Sequence, residues 1–162
     1  MSSRADVLAD RVEQGAQELA NFVEGLSDDQ WKTMCTDEER TVGVLVHHVA
    51  SAYTGELNVV MGMANGEGGL SGVTWEMIAH GNAQHARDNA TITKAAALEL
   101  LRNSAVQAAA SIRELTDEQL DKAGPVSLNW DAPLTTQYFI EEHPISHSFH
   151  HLRSIQAALD GS

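Results

Sequence analysis

Four long segments of this chain place apolar residues at three- and four-residue intervals, and that spacing leaves little choice of fold. Leu8, Val12, Gly15, Ala16, Leu19, Phe22, Val23 and Leu26 predict an amphipathic helix over residues 4–25. Val42, Leu45, Val46, Val49, Ala52, Tyr53, Leu57 and Val60 predict a second over 41–61, with Thr41 as its N-cap. Ala97, Leu98, Leu101, Ala105, Ala108, Ile112 and Leu115 form the inward stripe of a third over 93–115. A fourth runs over 134–159, with Phe149, Leu152, Ile155 and Leu159 beyond Pro144. With three prolines and one cysteine in 162 residues, the chain is expected to be one helical domain able to bury its own core without disulfides.

Shorter segments lie between these helices. A single helical turn is expected around Asp28–Trp31 within the connection 27–40, with Trp31 folded back on the core. Asn65–Gly72 reads as a flexible glycine-rich loop, and it carries no lysine with which to cradle a phosphate. A polar helix is expected from Trp75 to about Ala90, capped by Thr74. Residues 124–133 read as irregular. Leu26-Ser27-Asp28-Asp29-Gln30-Trp31 and Leu115-Thr116-Asp117-Glu118-Gln119-Leu120 echo one another, as a duplicated helix pair would.

Chemistry concentrates in the histidines, four of the eight falling between residues 143 and 151. On a helix, His147 and His151 project from one face, one turn apart, close enough to share a metal ion. Neutral imidazole suits zinc, nickel, copper or iron, and a catalytic zinc site needs three protein ligands and an open position. His48 borders the buried face of the second helix, whereas His47 is rotated about 100° away; His48 is the better third ligand. Pro144 is expected to kink or break the last helix just before His147. His143 is left as a rim candidate; it, or a carboxylate such as Glu142, could supply the fourth ligand that would close a structural site. His80 and His85 read as surface or rim residues. Cys35, in a polar acidic loop, is a poor nucleophile.

A formal net charge of −13 with no basic stripe excludes ordinary nucleic-acid binding. No apolar run approaches the length of about 18 residues that a membrane span needs, and the N-terminus lacks a signal-peptide core. The expectation is a soluble, cytoplasmic protein without a membrane partner.

These features resemble the DinB-like (DinB/YfiT) superfamily of metal-binding four-helix bundles. The resemblance rests on Thr41–Val49, Leu26–Trp31 and His147–Gln156, in that order and separation. It implies an all-α four-helix bundle of DinB/YfiT type, one domain over 1–162, with an extra short helix between the second and third long helices. It implies a divalent metal held by His48, His147 and His151, with zinc foremost and nickel or iron as alternatives. His150 matches a neighbour that is not a ligand, and Gln156 a polar position downstream. Tyr53 stands where an acidic or aromatic residue often follows the helix-two histidine. Tyr53, Trp75 and His85 are the candidate pocket residues.

The activity this implies is low-molecular-weight-thiol S-transfer, using mycothiol, bacillithiol or glutathione and an electrophilic small-molecule acceptor. Two alternatives stand beside it: a metal-dependent hydrolase, and a non-catalytic, stress-related metal-binding or dimerisation bundle. A homodimer is compatible with any of the three.

Overall fold

The computed structural model describes residues 3–161; Met1, Ser2 and Ser162, which the sequence reading placed in the same domain, lie outside them. The long helices are α1 (Ser3–Glu24), α3 (Val42–Asn65), α5 (Lys94–Arg113) and α8 (Ser146–Asp160). Shorter ones are α2 (Asp28–Trp31), α4 (Trp75–Asp88), α6 (Asp117–Asp121) and α7 (Thr136–Ile140). The architecture is the expected four-helix bundle: α1 and α3 pack on α5, and α8 closes the bundle against α1 and α3.

The apolar stripes meet in one core. Val12, Leu19, Val23, Leu45, Val49, Leu101, Ile112 and Ile155 are all fully buried, and removing such a side chain costs about 2–5 kcal/mol. The starts of α3, α4 and α5 are built as threonine caps, two of them marked in the sequence. Thr41, Thr74 and Thr93 accept from the backbone amides of Val44, Met77 and Ala96, an arrangement worth about 1 kcal/mol apiece.

The echo between the two halves is structural. Ser27 with Gln30, and Thr116 with Gln119, form capping boxes that open α2 and α6. Each is followed by a small antiparallel hairpin: β1 (Met34–Cys35) with β2 (Arg40–Thr41), and β3 (Ala123–Val126) with β4 (Ala132–Thr135). A 3₁₀ turn joins the strands in both, ending on a left-handed residue, Glu39 at φ 53° and Trp130 at φ 55°. Each hairpin then feeds a threonine-capped helix, α3 after Thr41 and α7 after Thr135. Periodicity predicts neither hairpin: 27–40 is expected as a connection with one helical turn, 124–133 as irregular, and the last helix from 134. Strands of two to four residues carry too little alternation to be seen, and residues 132–135 belong to β4.

Pro144 does not end the helical path. α7 passes through one π-helical stretch, Glu141–Ile145, directly into α8. A widened turn omits the bond that proline cannot donate, so the chain stays helical and the face presented downstream is re-phased. That re-phasing sets the direction in which His147 and His151 project. Cys35, expected in a polar loop, is instead a strand residue of the first hairpin, buried at 2 % exposure.

Candidate metal centre

His48 on α3 meets His147 and His151 on α8. One ring nitrogen from each of the three lies within 4.8 Å of those of the other two, and His48 Nε2 is 3.1 Å from His147 Nε2. Nitrogens around a tetrahedral zinc stand about 3.3 Å apart, so the spacing suits one small ion. The sequence-predicted triad is therefore brought together.

Carboxylates set the direction of two of these rings. His147 Nδ1 donates to Glu56 Oε1 at 2.7 Å, and His151 Nδ1 donates to Glu38 Oε1 at 2.9 Å. Because a carboxylate only accepts, each Nδ1 carries the proton and each Nε2 is a bare lone pair. Imidazoles that ligate metals through one nitrogen are commonly oriented in this way through the other. Burial holds His48 neutral, pushing it down to about 2, with the neighbouring His147 adding to the effect. Burial likewise lowers His151, against the opposing pull of Glu38. The three nitrogens thus suit a divalent cation in being convergent and partly shielded from water.

Glu38 arrives from the first hairpin rather than from a long helix. Its carboxyl is held well below the usual range, first by the His151 hydrogen bond and then by the hydrogen bond and charge of Arg40. Arg40 Nη2 donates to Glu38 Oε2 at 2.6 Å, and Ser154 Oγ donates to Glu38 Oε1 at 3.2 Å. The left-handed Glu39 between them turns the strand so that both side chains come back toward α8.

On the opposite flank, α4 has no fully buried residue. It reaches the bundle partly through His85, whose Nε2 lies 2.9 Å from His47 Nδ1. The rings of His48 and His85 are 5.5 Å apart, centre to centre. His85 therefore adjoins the cluster, and His47, set aside in the sequence reading, fixes it there.

The remaining candidates fall elsewhere. Tyr53 is a core residue, 1 % exposed, sharing a 2.7 Å hydrogen bond with Ser148. Trp75 is 65 % exposed at the start of α4. His143 stacks on Phe139, with ring centres 4.3 Å apart, and neither it nor Glu142 joins the histidine group. The residues that sequence reasoning missed are Glu38, Arg40 and Glu56. Glu56 follows His48 by eight residues, close to two helical turns, and could have been read from that spacing; nothing local marks Glu38 or Arg40.

Among the described residues, no helix is long and apolar enough to cross a membrane. No curated protein matches the chain. Among solved structures it is similar to YfiT from Bacillus subtilis, described as "a probable metal-dependent hydrolase with an unusual four-helix bundle topology". The two are 22 % identical with a TM-score of 0.78, over 98 % of this chain and 87 % of that one. The sequence profile of the DinB superfamily matches residues 11–155. From that match over nearly the whole bundle, the chain belongs to the DinB superfamily.

Proposed function

We propose that His48, His147 and His151 hold one divalent metal ion, zinc in the first instance, and that the protein is a low-molecular-weight-thiol S-transferase. The observation that carries this reading is the convergence of three imidazoles, two of them oriented by carboxylates. A bound ion would supply Lewis acidity that makes a coordinated thiol a thiolate at neutral pH.

The surrounding residues favour a thiol over water as nucleophile. Hydrolysis would call for a base within reach of the bound water. Both oxygens of Glu38 are engaged, by His151 and Ser154 on one side and by Arg40 on the other. Glu56 has a free Oε2, yet it sits at the Nδ1 side of His147, behind the ring whose Nε2 joins the cluster. A thiol is far more acidic than water before it binds, so on coordination it can lose its proton to solvent and needs neither carboxylate. An open coordination position is supported by the absence of His143 and Glu142 from the group among the described residues.

The test is cobalt substitution followed by titration with 2-mercaptoethanol. A thiolate-to-cobalt charge-transfer band that saturates at one thiol per chain is expected. A cobalt spectrum blind to thiols would favour a closed structural site. A spectrum that responds to hydroxide but not to thiols would favour the hydrolase reading.

A further inference from the structure

Arg40 carries more than its pairing with Glu38 explains. Its side chain is 7 % exposed, whereas those of Arg4, Arg102 and Arg113 are 38 %, 45 % and 28 % exposed in their own ion pairs. A guanidinium can grip a carboxylate with two parallel N–H bonds, and Arg113 does so with Glu13, at 3.0 and 2.7 Å. Arg40 gives Glu38 one arm only, Nη2. Its Nη1 is buried and has no hydrogen-bond partner. Leaving a charged donor buried and unpaired is costly, and the hairpin nonetheless fixes it there.

The place of that donor is set by a continuous chain of contacts. Arg40 binds Glu38, Glu38 binds His151, and His151 belongs to the metal cluster. A second buried and unpartnered polar atom, His85 Nδ1, adjoins the same cluster from α4.

We infer that Arg40 is an anion anchor beside the three-histidine centre, its Nη1 kept open for a carboxylate on the molecule that reacts there. The inference deepens the proposed function and rests on that metal centre: it names the substrate class as acidic. Where His47 Nδ1–H donates to His85 Nε2, the proton of His85 lies on Nδ1, a second buried donor on the α4 side of the cluster. Since the charge of Arg40 is already matched by Glu38, what the second arm offers an anion is a directed N–H donor.

The experiment compares two thiols that differ in one group, mercaptoacetate and 2-mercaptoethanol, on cobalt-loaded protein by the thiolate band. The wild type is expected to bind mercaptoacetate about tenfold more tightly, a preference equivalent to one charge-assisted contact, and Arg40→Gln to lose most of it. Equal affinities in the wild type, or the same preference in Arg40→Gln, would overturn the inference; chelation of cobalt by mercaptoacetate alone predicts the latter result. Should Arg40→Gln not fold, Arg40→Lys keeps a cation for Glu38, lacks the planar second arm, and is read in the same way. If neither thiol gives a band, the result counts against an open, thiol-binding position at the metal instead. The anchor is then tested in metal-free protein by sodium acetate, which should raise the melting temperature of the wild type and not of Arg40→Lys; no rise in the wild type would overturn it.

Discussion

Glu56 Oε1 accepts a 2.7 Å hydrogen bond from His147 Nδ1, joining α3 to α8 immediately behind the histidine cluster. The bond fixes the tautomer of His147 and aims its Nε2 at His48. Removing such an orienting carboxylate typically weakens metal binding about 10- to 100-fold. Glu56→Ala is therefore expected to bind zinc more weakly by that factor in competition with a chromophoric chelator. Unchanged affinity would show that the carboxylate does not orient the ligand.

Gly43 faces Trp31 so closely that a Cβ built on it would lie 2.6 Å from the indole Cε2 and Nε1. The ring is not free to retreat, because its N–H donates to the Ile92 carbonyl at 3.1 Å. Gly43→Ala should lower stability by about 1–3 kcal/mol through overpacking, measured by urea unfolding. A variant as stable as the wild type would mean that Trp31 repacks at no cost.

Tyr53 and Ser148 share a buried hydrogen bond, and burial pushes the phenol well above its ordinary value. Tyr53→Phe leaves the Ser148 hydroxyl without that partner, at a cost of about 1–3 kcal/mol. Metal stoichiometry should not change, since Tyr53 lies in the core. Loss of metal with stability retained would return Tyr53 to the site.

Cys35 should resist alkylation. It is buried, and its thiol is pushed up from an ordinary value of 9 to about 11, first by burial and then by the charge of Glu38. Because the folded state favours the neutral thiol, this contribution to stability is complete below pH 9 and fades as pH rises toward 11. Iodoacetamide at pH 8 should leave native protein unmodified and label it in urea. Rapid native labelling would contradict the burial.

The fold was legible because four helical stripes repeat at one period, and three of the site residues because helical spacing aligns them. His147 and His151 lie one turn apart, and His48 borders a buried stripe. Glu38 and Arg40 were illegible for the opposite reason. They reach the centre through a hairpin of two-residue strands and a left-handed turn at Glu39, and no periodicity announces such a turn. Pro144 misled in the same way: its local rule predicts a break, but a π turn absorbs the missing donor. His85 was read as a surface residue because α4 is polar all round, and only its contact with His47 brings it inward.

The central claim is that the three histidines form one metal site, and metal content measures it most directly. Elemental analysis of untagged wild-type protein should give about one divalent ion per chain, and His147→Ala none. Metal in the variant equal to that in the wild type would contradict the account, as would wild-type protein that takes up no ion when zinc, nickel and iron are each supplied.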